Sequence, residues 1–178
     1  DALPILNEYD HILGFHKINA FRDAVHNSVG GKENYFQVEE RIDFDPYTIL
    51  GQKTKGGKIT EKDCLVMQEI WKGPHTTGND FLWYSFLPGG TFWNKIIPIG
   101  SFYYPLIGKR PKCFSLVEQY VHLAFEDPKK DLLHLKIRDF EKVFDTCIRK
   151  LGWLSCDHAD LRPFANAGGK LIIDHGLD

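Results

Sequence analysis

The residues best placed to do chemistry stand at the end of the chain. Leu171, Ile172 and Ile173 form a short apolar run after the Gly168-Gly169 pair, and Asp174, His175, Gly176, Leu177 and Asp178 follow at once. A short apolar run bounded by glycines has the pattern of a buried strand of a parallel sheet. In open α/β sheets catalytic groups sit just past the carboxyl ends of such strands. Asp178 therefore stands where the acid of a Ser-His-Asp triad would stand, and His175 directly follows the strand. The plain alternatives are a loop or capping role for Asp178 and a turn shaped by the His175-Gly176 pair. The other chemistry on offer is stacking. Trp83, Tyr84, Phe92, Trp93, Phe102, Tyr103 and Tyr104 crowd the stretch 83–104 and could line a slot for a flat ring. Each of them taken singly can equally be a packing residue.

Other chemistries lack their residues. No Gly-x-Ser-x-Gly frame surrounds Ser28, Ser85, Ser101, Ser115 or Ser155, and there is no Gly-rich phosphate loop, no His-Glu-x-x-His and no acidic calcium loop of standard spacing. The cysteines, Cys64, Cys113, Cys147 and Cys156, have no CxxC spacing, so a zinc site is not expected. They permit two disulfides without fixing the pairing, and Cys64 and Cys147 fall within helical patterns where each could be an ordinary core residue. A net charge of -2 with scattered Lys and Arg gives no reason to expect nucleic acid. No apolar run approaches the roughly 20 residues that span a bilayer, so no membrane partner is expected either.

The elements that must position these groups read mostly as helices and irregular loops. Apolar spacing predicts a helix over 8–28, ended by Gly30-Gly31, and a weakly alternating strand over 35–42. Gly51 to Gly57 reads as a loop. Thr60 with Asp63 three residues on has the form of a capping box, opening a helix that Gly73-Pro74 stops. Residues 81–87 are apolar and aromatic and read as a strand, and 88–111 as a long irregular segment of the kind that forms lids or binding loops. Further helices are predicted near 114–125 and 137–150, with a short one over 161–167 capped by Asp160. The strand at 171–174 then stands alone, so its neighbours must come from residues outside this sequence or from another chain. The hydrophobic share of 43% and charged share of 26% are ordinary for a globular protein. The whole is expected to be a piece of a larger protein.

Several local patterns occur together: Phe44-Asp45-Pro46 with Leu50-Gly51, Ile59-Thr60-Glu61-Lys62-Asp63, Ile70-Trp71-Lys72-Gly73-Pro74, Leu82-Trp83-Tyr84, Asp160-Leu161 with Phe164, and Ala167-Gly168-Gly169-Lys170-Leu171-Ile172 before His175-Gly176-Leu177. In this order and spacing they resemble the tannase and feruloyl esterase family of α/β-hydrolases, over nearly the whole chain and least from 92 to 112. The resemblance implies an α/β class: a mostly helical or irregular lid-like domain over 1–155, then 156–178 as part of the hydrolase core, ending in one core strand. It implies a secreted serine esterase acting on esters of hydroxycinnamic or gallic-type acids, with the nucleophilic serine upstream and the triad histidine downstream of this sequence. The chain alone would then be inactive, and its partners would be a small aromatic ester and the rest of the core. The family acid falls on the residue after Asp178, or on Asp178 with a one-residue shift. Trp83, Tyr84 and Trp93 become the substrate-binding candidates. The family's calcium loop would correspond to 26–34, but His26 and Val29 stand where carboxylates belong, so no cofactor or metal is expected. The competing expectation is a non-catalytic binding domain derived from such a lid.

Overall fold

The computed structural model describes residues 3–29, 42–90, 115–155 and 159–173. Among these the chain is mostly helical, with one two-stranded antiparallel sheet. In order come α1 (Leu3–Glu8), α2 (Phe15–Ser28), a 3-10 turn (Pro46–Ile49), β1 (Lys53–Thr54), β2 (Gly57–Lys58), α3 (Glu61–Lys72), α4 (Ser115–Phe125), α5 (Ile137–Leu151), a second 3-10 turn (Gly152–Leu154) and α6 (Arg162–Asn166).

Burial gathers in two clusters. The first packs Ile5 and Leu6 of α1, Ile18 and Phe21 of α2, and Cys64, Val66, Met67 and Ile70 of α3 around Leu13 and Ile59. The spacing from Ile18 to Phe21 to Val25 is the one that puts side chains on a single helical face, and all three are buried. The second cluster joins α4 and α5 through Val121, Ala124, Val143, Cys147 and Leu151, with Leu132 from the connection. Two bridges tie the clusters together. Asn7 Nδ2 donates to the carbonyls of Leu133 at 2.7 Å and Leu135 at 2.9 Å, and Ile137 of α5 packs on the first cluster.

The capping box of α3 forms as expected. Thr60 Oγ1 accepts from the Asp63 amide at 3.2 Å, and Asp63 Oδ2 accepts from the Thr60 amide at 2.7 Å. Asp63 does more than cap. It is fully buried, and its carboxylate accepts from His11 Nε2 at 2.8 Å and Lys17 Nζ at 2.6 Å. Burial alone would raise its pKa; the bonds from Lys17, His11 and Thr60 outweigh that and lower it from 3.8 to about 2.

The structure departs from the sequence pattern in several places. The helix expected over 8–28 is two helices, because the chain breaks at Asp10, whose φ is +42°, and resumes after an extended Gly14. The break sends Leu13 into the core and His11 to Asp63. The loop over 51–57 holds a small hairpin, with Lys53 opposite Lys58 and Thr54 opposite Gly57 at φ +100°. Residues 81–87 form no strand beyond one bridge between His75 and Phe81, and among the described residues no second strand lies beside them. Residues 171–173 likewise form no strand and are exposed, Ile172 at 95%, as fits an apolar run with no sheet neighbour among the described residues. Residues 35–41 of the other expected strand lie outside the described residues. No disulfide forms at Cys64 or Cys147. Both are buried free thiols, one in each cluster, and burial pushes both above the ordinary thiol pKa. Cys113 and Cys156 lie outside the described residues.

Candidate functional site

A cleft of about 410 Å³ opens where α1, the end of α3, the segment after it, α4 and α5 meet. The elements explain its position. Gly73 ends α3 at φ +85°, and a Cβ there would sit 2.9 Å from the Ser85 amide nitrogen. Only glycine allows both that conformation and that approach. The chain leaves at Pro74, and the amides of Leu82 and Trp83 return to the Pro74 carbonyl at 3.1 and 3.4 Å. That small loop, closed by the Thr76 and Asp80 hydrogen bonds, delivers the aromatic run 81–86 beside the helix end.

Trp83 and Tyr84, two of the three aromatic candidates from the sequence, therefore line one cleft, together with Phe86. Their rings meet edge to face with centroids 5.8 Å apart, and Phe81 meets Tyr84 in the same way at 5.3 Å. The facing wall comes from α5, where Phe140 and Phe144 lie 6.1 Å apart and Phe144 is 6.4 Å from Trp83. Pro4, Ile5, Ile70 and Val117 complete a mostly apolar lining. Trp83 is still 50% exposed and Tyr84 75%, so ring surface is open to an incoming molecule.

The polar part of the lining is small and defined. His75 Nδ1 donates to the Gly73 carbonyl at 2.7 Å, which fixes the tautomer of the neutral ring. Its Nε2 then accepts from Lys72 Nζ at 3.4 Å, and Glu69 Oε2 lies 3.4 Å from the same nitrogen. Glu69 also lies 3.8 Å from Lys72. Such a cleft can enclose a flat apolar group and offer hydrogen bonds at one edge. Its volume falls within the roughly 300–1,000 Å³ of small-molecule sites.

The sequence identified the rings of one wall and missed the other. Phe140 and Phe144 share the apolar stripe of α5 with Val143 and Cys147, so spacing assigns them to the core. His75 carried no pattern beyond following Gly73-Pro74. Asp178, His175 and Trp93 lie outside the described residues, as do Phe92, Phe102, Tyr103 and Tyr104. Of the stretch compared with a calcium loop, His26 points its Nε2 at the Gly89 carbonyl, 2.9 Å away, and Val29 caps α2; residues 30–34 lie outside the described residues. Among the described residues no group of three His, Cys, Asp or Glu could hold a metal ion, and no helix is long and apolar enough to cross a membrane. No protein-family profile, no curated protein and no solved structure matches this chain.

Proposed function

We propose that the chain is the lid-containing part of a secreted serine esterase of the tannase and feruloyl esterase type, and that the cleft receives the aromatic acyl group of the ester. One observation supports this above the others: Trp83 and Tyr84 share a largely apolar cleft with Phe140 and Phe144. In this reading 1–155 is the lid and 156–178 enters an α/β-hydrolase core whose other strands flank 171–173. The serine would attack the ester carbonyl, the histidine would carry the proton, and an acid at or just after Asp178 would orient the histidine. None of the cleft residues takes part in that chemistry; their task is to hold the ring while the bond breaks.

The test is a titration of the chain with methyl ferulate, followed by tryptophan fluorescence. Saturable quenching that Trp83→Ala weakens roughly tenfold, about 1.4 kcal/mol, is expected. The chain alone is expected not to hydrolyse the ester. Absence of saturable binding, or binding indifferent to Trp83→Ala, overturns the assignment of the cleft. The second reading, a non-catalytic binding domain, draws on the fact that the described residues of this chain build the cleft by themselves. The flanking coding sequence separates the two: an in-frame Gly-x-Cys-Ser-x-Gly upstream and a His-Cys pair downstream belong to the esterase.

A further inference from the structure

A second cavity, about 740 Å³, lies between α2, the first 3-10 turn and the β1–β2 hairpin. Its chemistry is the reverse of the aromatic cleft. On α2 the positions 16, 19, 20, 23, 24 and 27 fall on one helical face, opposite the buried Ile18, Phe21 and Val25. Ala20 and Ala24 leave room there, and Asn19 and Asn27 flank them. Gln52, Lys53 and Lys55 come from the hairpin side, and Phe44 adds an apolar ring to the same lining.

The hydroxyls of the lining are already engaged, Ser28, Thr48 and Thr54 each donating to a backbone carbonyl. Among the described residues, Asn19, Asn27 and Gln52 make no side-chain hydrogen bond, and Lys53 and Lys55 make no ion pair. Asp23, the acid of the lining, accepts at Oδ1 from Arg22 Nη2 at 2.7 Å and Nε at 3.0 Å. Among the described residues the uncompensated charge in the groove is therefore positive. A side-chain amide both donates and accepts, as a hydroxyl does, so three amides in one groove match a ligand carrying many hydroxyls. Two ammonium groups beside them match a carboxylate on that ligand.

We propose that this groove binds an acidic saccharide, a polyhydroxylated chain bearing a uronate, with Asn19, Asn27 and Gln52 reading hydroxyls, Lys53 and Lys55 reading the carboxylate, and Phe44 packing against a sugar ring. The site is separate from the aromatic cleft and does not rest on the esterase reading.

Calorimetry on the 178-residue chain tests it with three probes: a glucuronate-bearing tetrasaccharide, neutral maltotetraose and inorganic phosphate. The acidic tetrasaccharide is expected to bind at millimolar concentration or below, and maltotetraose roughly tenfold more weakly or not at all. The double change Asn19→Ala with Gln52→Ala, and separately Lys53→Glu with Lys55→Glu, should each cost roughly tenfold or more with the melting temperature unchanged. Asn27→Asp, which keeps the size and adds a carboxylate, is the further variant if either pair fails to fold, and it should repel the acidic ligand. Trp83→Ala should leave this binding intact. No binding of the acidic tetrasaccharide, equal binding of maltotetraose, binding of phosphate as tight as that of the tetrasaccharide, or indifference to the groove variants overturns the proposal.

Discussion

Asp63 and Asp160 each hold the first turn of a helix, and each does so with a carboxylate placed near the helix start. Asp63 accepts from the Thr60 amide and closes the capping box of α3. Asp160 accepts from the Arg162 amide at 3.1 Å at the start of α6. There the likeness ends. Asp63 is fully buried and holds His11 and Lys17, residues that come from the α1–α2 connection and from α2. Asp160 is exposed and takes its charged partner, Arg162, from two residues away. One carboxylate joins three parts of the chain; the other organises a single turn. The same contrast extends to the surroundings. Every element up to α5 except the hairpin contributes buried residues, whereas 159–173 contributes none.

The contrast predicts unequal costs. Asp63→Ala removes one half of the capping box of α3 and leaves His11 and Lys17 without their carboxylate in a crowded place. Breaking such a buried arrangement on one side costs about 3–5 kcal/mol. His11 and Lys17 keep 21% and 15% of their side-chain surface, enough to turn partly to water, so about 3 kcal/mol is expected. Urea unfolding measures it. In the same assay Asp160→Ala should leave the midpoint where it is, since exposed pairs contribute little. Similar shifts for the two variants would mean that Asp63 is no more than a local cap.

Acid sharpens the same comparison. The Asp63 carboxyl is held at about 2 in the folded chain, against 3.8 ordinarily. A carboxyl whose folded pKa is depressed stabilises the fold fully above its unfolded value. That stabilisation fades as pH falls toward the folded value. Here the window runs from about pH 4 down to about pH 2, and the amount at stake is about 2.5 kcal/mol. Arg162 lowers the Asp160 carboxyl as well, but in open solvent that adds no comparable slope. Unfolding free energies of the wild type and Asp63→Asn should differ most near neutrality and converge toward pH 2. A constant gap across the window would show that proton binding at Asp63 is not linked to folding.

These two carboxylates also mark what the sequence could and could not convey. Thr60 and Asp63 are three residues apart, so the capping box was legible as a local pattern. Asp160, expected to cap a helix over 161–167, instead stands one residue before the N-cap Leu161 and holds the Arg162 amide. The partners of Asp63 were not legible, because His11 and Lys17 lie 52 and 46 residues away. The same distance hid the break at Asp10: the spacing of Ile12, Phe15 and Ile18 favours one helix, and only the pull of Leu13 and His11 toward α3 divides it. The cleft divides likewise. Trp83 and Tyr84 stood out as an aromatic cluster, but Phe140 and Phe144 sit on an amphipathic helix whose apolar stripe serves core and cleft at once. An alternating or apolar run states a need for a neighbour without supplying one, which is why 81–87 and 171–173 form no regular strands here.

Residues 171–173 allow the smallest and most diagnostic change. Ile172 already stands 95% exposed in this chain, so Ile172→Ser removes almost no buried surface and should leave the urea midpoint unchanged. If the proposed hydrolase core supplies flanking strands, the side chain passes from water into a sheet interface. The same substitution in a longer chain that includes that core should then cost about 1.5–3 kcal/mol, the value of burying one such side chain. The pair of measurements separates a strand awaiting its sheet from a plain surface tail. A loss of stability in the present chain would place Ile172 against the helical clusters and remove the reason for assigning 171–173 to a sheet. An effect absent at both lengths would leave the run as solvent-exposed chain and count against the esterase core.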